Sequence, residues 1–171
     1  MKSISIRYGL RMGLALLVLF SVAHLAGAVE NPSLRWLNGI VHVGFIYLAL
    51  RKYRIEFGRE WNYASGVGIG VLAGMIGTLL FAVAVGIFLG ARPDVLAEIA
   101  SHTRLGAYLN PVTAAAVMVV EGFAVTAFAS YFCMRIVDSD RKAKAAAAAN
   151  ARVRPAVQPP AASVSERSNI Q

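Results

Sequence analysis

Residues 51–78, RKYRIEFGREWNYASGVGIGVLAGMIGT, join a basic polar turn to a glycine-rich apolar helix. Four of the first nine residues are basic, which is typical of a cytoplasmic loop because Lys and Arg are retained on the cytoplasmic side of a membrane. Apolar segments of similar character lie before and after this stretch. The stretch therefore predicts both the orientation of the chain in a bilayer and the helix whose surface the other helices pack against.

The composition indicates a membrane protein. The chain has 171 residues, of which 57% are hydrophobic and 15% are charged, and its mean hydropathy is +0.59. In soluble domains about a quarter of the residues are charged. The single cysteine, Cys133, excludes an intramolecular disulfide and a four-cysteine metal site, and we interpret it as a small hydrophobe.

The net charge of +8 does not indicate nucleic-acid binding. Basic residues lie between and after the apolar segments, where they orient a membrane protein and attract anionic lipid headgroups. The N-terminus, the loop at 51–59 and the C-terminal region hold 14 of the 17 Lys and Arg residues. We therefore expect both termini in the cytoplasm, with the lipid bilayer and its anionic headgroups as partners and no nucleic acid.

Four apolar segments are predicted to span the membrane, at residues 8–29, 34–50, 63–89 and 112–134. About 20 apolar residues cross a bilayer core. The second segment is short, but Trp36 suits one interface and Arg51 the other. The first segment also resembles a signal peptide with a cleavage site near Ala26; its length and the polar His24 inside it favour a retained helix.

A short helix at the membrane surface is predicted in the connection at 90–110. Pro93 and Asp94 suit the first turn of a helix, and an apolar stripe follows it at Val95, Leu96 and Ile99. Glu98 and His102 are spaced as a two-ligand metal pair, but two ligands are too few for a specific site, so a solvated pair is favoured.

The predicted fold is therefore all-α, with four transmembrane helices in an antiparallel bundle over residues 1–137. Residues 138–171 lose the apolar period and carry alanine, proline and basic residues. Such a segment buries too little apolar surface to order itself. We expect a disordered basic cytoplasmic tail, with a helix through the alanines as the alternative.

Small residues in the third span predict close helix packing. Gly66, Gly70 and Gly74 are spaced four residues apart and Thr78 continues the row, so one stripe of the helix lets a neighbouring backbone approach. The run GVGIG resembles a nucleotide-binding fingerprint, but it follows no strand and lies inside a membrane span.

The predicted spans contain the titratable residues His24, His42 and Glu121 away from the basic loops. Such residues are costly in hydrocarbon and are candidate functional residues. His42 and Glu121 are each about 12–14 Å from the outer end of their helices, so they are the candidate intramembrane polar pair. A structural contact between helices is favoured. The alternatives are that the pair carries a proton, anchors a cation or binds a ligand, or that a neutral Glu121 bonds to a backbone carbonyl. His24 is interpreted as an interfacial residue.

Three motifs carry a family resemblance: IRYGLRMGLALLVLF at the start, LRWLNGIVHVGFIYLALRKYR through the second span, and EFGREWNYASGVGIGVLAG at the junction. With them the chain resembles the Domain of Unknown Function 4199 family of small bacterial inner-membrane proteins, over about residues 4–137. The resemblance implies four membrane helices in a bacterial inner membrane. It implies no activity and carries over no catalytic residue.

The sequence favours a non-enzymatic accessory or interaction subunit, with a second copy of the chain or another membrane protein as a further partner. We expect no catalytic residues, no cofactor and no metal. The alternative is a small proton-coupled transporter that uses Glu121 with His42. Small four-helix multidrug exporters use one membrane glutamate, but theirs lies in the first helix, whereas Glu121 lies in the fourth span.

Overall fold

The computed structural model describes residues 2–27, 33–58, 62–101 and 106–153, and these residues are nearly all helical, with no strand among them. The predicted all-α class is confirmed. A short 3-10 turn, Gly106–Tyr108, precedes the last helix. The helices are α1 Lys2–Leu25, α2 Ser33–Phe57, α3 Tyr63–Ala91, α4 Pro93–Ser101 and α5 Pro111–Val153.

Three of these helices are long and apolar enough to cross a membrane: Lys2–Leu25, Tyr63–Ala91 and the part of α5 from Pro111 to Ser139. Each remains largely uncovered by the rest of the chain, and only 17% of the most apolar part of α5 is buried. Exposed apolar helices of this length suit hydrocarbon better than water. The chain therefore has the character of a multi-pass membrane protein.

Side chains that accept hydrogen bonds fix two of the helix starts. The Asn62 side chain accepts a hydrogen bond from the Ala64 amide at 2.9 Å, and Asn110 accepts from the amides of Val112 and Thr113 at 3.0 and 2.9 Å. These contacts satisfy amides that have no partner inside the first turn. Pro111 then occupies the first helical position, where its missing N–H costs nothing.

The helices α1 and α2 extend beyond the predicted spans. α1 starts at Lys2, because Ile4 and Ser5 are buried and the Ser5 hydroxyl donates to the Ile69 carbonyl at 3.3 Å. α2 ends at Phe57 and not at Leu50, so the predicted loop from residue 51 is partly helix. Its last turns are retained because Tyr53 is fully buried against α1 and α3.

α5 extends far beyond the predicted span end at residue 134, as far as Val153. Alanine has the highest helix propensity, so the alanine run at 145–149 continues a helix without burying a face. The chain divides into two compact units, Met1–Asp138 and Ser139–Gln171. The described part of the second unit is this helical extension, residues 139–153.

In the first unit, α3 has two closely packed faces. One faces α5: a Cβ added to Gly70 would lie 2.6 Å from Ser130 Oγ, and one added to Gly74 would lie 2.9 Å from Thr126 Cβ. Gly66 meets Met134 in the same row. The predicted stripe Gly66, Gly70 and Gly74 is therefore the contact surface between α3 and α5.

The other packed face of α3 meets α1. A Cβ added to Gly9 would lie 2.7 Å from the Ala73 carbonyl oxygen, and one added to Gly13 would lie 3.1 Å from that of Gly77. Glycines on both helices thus bring the two backbones together. These contacts also fix the register: the Gly9–Gly13 turn of α1 lies beside the Ala73–Gly77 turn of α3.

The helix α4 packs on the ends of α3 and α5. Val95 is buried in a cluster with Val85, Leu89 and Ala114. The other two members of its predicted apolar stripe, Leu96 and Ile99, are partly buried against the same cluster. The stripe therefore faces the protein, which explains why so short a helix holds its position.

Candidate functional site

A buried histidine joins three helices near the middle of the first unit. His42 of α2 is 6% exposed, and its Nε2 atom lies 3.0 Å from the Thr126 hydroxyl of α5 and 3.1 Å from the Thr78 hydroxyl of α3. Both threonines are also buried. We call these three residues the His42 node.

The sequence places each member of the His42 node by a simple rule. Thr78 continues the row of Gly66, Gly70 and Gly74 by one turn, so it lies on the face of α3 that meets α5. Thr126 of α5 packs directly against Gly74, where a larger side chain would leave it no room. Because the two threonine side chains are short, the His42 imidazole of α2 can reach both hydroxyls at once.

In the His42 node, one histidine nitrogen lies within hydrogen-bonding distance of two threonine hydroxyls. A threonine hydroxyl both donates and accepts, whereas the histidine nitrogen either accepts through its lone pair or donates its proton, depending on the tautomer. The hydroxyls adapt to either tautomer. A buried polar group with hydrogen-bond partners avoids the cost of desolvation, so the node joins helices in an apolar environment.

Glu121 lies apart from the contacts of His42. It precedes Thr126 by five residues, which is about 7.5 Å along a helix axis, and it is exposed, whereas Thr126 is completely buried. The hydrogen bonds described for His42 go to the two threonines. Pairing of His42 with Glu121 stays a prediction. Thr126, which sequence reasoning did not single out, is the contact that the structure provides on α5.

Arg11 of α1 is a charged residue that lies level with the middle of α3. It lies between Gly9 and Gly13, and these glycines contact α3 around Ala73 and Gly77. Gly77 is the middle residue of the Tyr63–Ala91 helix. Arg11 is exposed, and its guanidinium lies 5.7 Å from the centre of the Tyr8 ring. By sequence alone Arg11 belongs to the basic N-terminus, because the register of α1 against α3 is not visible there.

The other two residues singled out in the apolar segments, His24 and Cys133, pack against neighbouring helices. The His24 ring lies 5.1 Å from Phe88 and 6.5 Å from Phe20 between ring centres, so it takes part in an aromatic cluster of α1 and α3. Cys133 is buried, with its sulfur 3.9 Å from the Val43 carbonyl oxygen. Both are accounted for by packing.

Near its C-terminal end, α2 is bound to α5 by an arginine. Arg54 donates from Nη1 to the Val137 carbonyl oxygen at 2.7 Å. Two buried hydroxyls in this half, Ser130 Oγ and Tyr53 Oη, have no hydrogen-bond partner among the described residues. Lys52 and Glu56 form an exposed ion pair at 3.1 Å. Exposed basic side chains of α2 and α5 near this end include Arg51, Lys52 and Arg135.

At the opposite end of α3, an exposed ion pair marks the start of α4. Arg92 Nη2 lies 2.8 Å from Asp94 Oδ2. Hydrogen bonding from Arg92 lowers the pKa of Asp94 from 3.8 to about 2. Asp94 also lies in the first turn of α4, where a negative charge is favourable.

Within residues 2–27, 33–58, 62–101 and 106–153, no group of three or more His, Cys, Asp or Glu side chains could hold a metal ion. His102, one half of the candidate Glu98–His102 pair, lies outside the described residues. Comparison with protein-family models, curated proteins and solved structures found no match. The resemblance to the Domain of Unknown Function 4199 family therefore stays a prediction from the sequence motifs.

Proposed function

We propose that this chain is a non-enzymatic bacterial inner-membrane protein that acts as an accessory or interaction subunit. The observation that carries the proposal is the His42 node. The buried histidine of the membrane region has its Nε2 atom in contact with two hydroxyls on neighbouring helices, which is how polar residues bind membrane helices together. This arrangement supports a structural role for the polar interior.

We further propose that α2 is a fourth span and that both termini are cytoplasmic. Its 25 residues measure about 37 Å, enough to cross a hydrocarbon core of about 30 Å. It has fewer consecutive apolar residues than the other spans, but His42 in its interior is sheltered by α3 and α5. Arg51 and Lys52 are exposed near its C-terminal end, where the positive-inside rule places the cytoplasm.

The expected partners are the bilayer and the anionic headgroups of its cytoplasmic leaflet. Arg51, Lys52 and Arg135 are exposed and lie near the C-terminal ends of the second and fourth apolar segments. In the proposed topology both of these ends are at the cytoplasmic face, where anionic headgroups attract basic side chains. Their attraction to headgroups is electrostatic, so it falls as salt screens it. A second copy of the chain, or another membrane protein, would cover part of the exposed apolar surface.

Carboxyl infrared absorption across pH, on the protein in nanodiscs, separates this proposal from a proton-coupled transporter that uses Glu121 with His42. Glu121→Gln assigns the Glu121 band. The accessory proposal predicts that the Glu121 titration is the same in wild type and in His42→Ala. A Glu121 titration near neutral pH that moves when His42 is removed would contradict the structural role and support the transporter.

A further inference from the structure

We infer that α1 binds an anionic phospholipid of the cytoplasmic leaflet, with the lipid phosphate held by Arg7 and Arg11 and an acyl chain along the apolar side chains beyond them. The inference rests on the proposed function and deepens it, since it gives one of the expected headgroup partners a defined binding site. Arg11 is exposed and lies deeper along α1 than Lys2 and Arg7.

Basic residues of α2 mark the headgroup level on the cytoplasmic side of the proposed topology. Tyr53 packs in one buried cluster with Ile4 of α1. Arg51 and Lys52 are exposed and directly precede Tyr53, so they are level with the first turns of α1. Arg11 follows Ile4 by seven residues, which places its backbone about 10 Å farther into the membrane. A charge at that depth is costly unless it reaches a partner, water or the headgroups.

The Arg11 side chain points back toward the cytoplasmic end of α1. Helical side chains lean toward the N-terminus of their helix, and the Arg11 guanidinium lies over the Tyr8 ring, 5.7 Å from its centre and nearly one turn closer to that end. Tyr8 in turn packs against the buried cluster that contains Tyr53. Because an aromatic face attracts a cation, the anchored ring holds the guanidinium on the side from which phosphates approach.

Arg7 adds a second guanidinium to the same site. It is exposed and precedes Arg11 by four residues, so the two lie one turn apart on one side of α1. Neither forms an ion pair within the part of the chain that the structure describes, and residues 2–27 contain no Asp or Glu. Glu56 of α2 pairs with Lys52 at 3.1 Å. Two arginines without a carboxylate suit a phosphate, whose oxygens accept hydrogen bonds from the planar guanidinium.

The surface beyond the two arginines suits an acyl chain. Leu14 and Val18 continue the exposed side of α1 toward the membrane interior and are 58% and 62% exposed. A phospholipid of the cytoplasmic leaflet has the same order, with its phosphate near the headgroup level and its chains toward the bilayer centre. This match, with the guanidinium of Arg11 directed toward the headgroups, favours a lipid over a carboxylate on another membrane helix.

The test measures binding of the first phosphatidylglycerol molecule to the full-length protein in non-ionic detergent, by native mass spectrometry. Arg11→Gln and Arg7→Gln should each raise the dissociation constant about fivefold, which corresponds to about 1 kcal/mol for one basic residue at the headgroups. Tyr8→Leu keeps the net charge and should raise the constant at least about twofold, because the ring no longer holds Arg11. Arg135→Gln removes an exposed positive charge from α5; it is the matched control and should leave the constant unchanged.

Equal losses in Arg11→Gln and Arg135→Gln would show a diffuse attraction of charges and would overturn the site. A wild type that binds phosphatidylglycerol no more tightly than phosphatidylcholine would also overturn it, and a carboxylate on another membrane helix would then be the counter-charge. An excess of inorganic phosphate should not displace the lipid, because a free ion lacks the acyl chain. Displacement would overturn the lipid as the occupant.

Failure of this site is distinguishable from failure of the proposed function. A protein without the lipid site whose Glu121 titration is the same in wild type and in His42→Ala keeps its accessory role. Coupling of Glu121 to His42 contradicts that role whether or not Arg11 binds a lipid.

Discussion

The His42 side chain holds α2 to both α3 and α5 through its two hydroxyl partners. His42→Ala removes contacts to both Thr78 and Thr126. Hydrogen bonds between membrane helices are worth about 0.6–1.7 kcal/mol each, so we expect a loss of about 1–2 kcal/mol in the free energy of unfolding. Unfolding in mixed micelles with increasing detergent denaturant measures this loss.

His24→Ala is the matched control for His42→Ala. It removes the same side chain from a half-buried position where the ring contacts Phe20 and Phe88 but joins only two helices. His24→Ala should lower the free energy of unfolding by less than His42→Ala does. Equal losses in the two variants would show that the His42 node adds nothing beyond ordinary packing.

Glycines of α3 give a second prediction at the scale of single residues. Gly74→Ala should destabilise the protein by about 1–3 kcal/mol, because the new methyl group meets Thr126 Cβ at 2.9 Å and forces the helices apart. Gly68→Ala is the control: nothing lies within 4 Å of its Cβ position, and alanine favours helix by up to about 1 kcal/mol. Thermal unfolding in detergent should therefore shift in opposite directions for the two variants.

At the scale of helices, the start of α4 should respond to acid. The lowered pKa of Asp94, about 2, comes mainly from its hydrogen bond to Arg92. A depressed carboxyl pKa means that the stabilising contribution is present above the ordinary value of 3.8 and is lost as pH falls from there toward 2. NMR titration of the Asp94 carboxyl should give this low midpoint, and Arg92→Gln should raise it. An unchanged midpoint in Arg92→Gln would contradict the pair; Lys52→Gln is a control for loss of a distant positive charge.

The starts of α3 and α5 were more predictable from the sequence than the C-terminal ends of α2 and α5. Asn62 and Asn110–Pro111 mark the starts of α3 and α5 in the sequence, because their caps act locally. The ends of α2 and α5 were missed for two different reasons. Tyr53 is held by burial against other helices, whereas the alanine extension of α5 needs only propensity.

At the scale of the whole molecule, the sequence located the glycine row and the buried histidine but not their partners. Periodicity places Gly66, Gly70 and Gly74 on one stripe, yet only the fold shows that this stripe meets α5. His42 was singled out by its cost in hydrocarbon; its contacts with Thr78 and Thr126 depend on the register of three helices. The position of Arg11 level with the middle of α3 also depends on helix register, so the sequence alone does not show it.

The central claim is that α2 crosses the membrane as a fourth helix held by the His42 node. Labelling of single cysteines with a membrane-impermeant maleimide tests it most directly, in a Cys133→Ala background. We place the cysteines at Ala26, Lys52 and Asp94, all of which are exposed. We predict that Ala26→Cys and Asp94→Cys are labelled from outside intact cells and that Lys52→Cys is labelled only after permeabilisation. Labelling of Ala26→Cys and Lys52→Cys from the same side, with Asp94→Cys on the other, would contradict the fourth span.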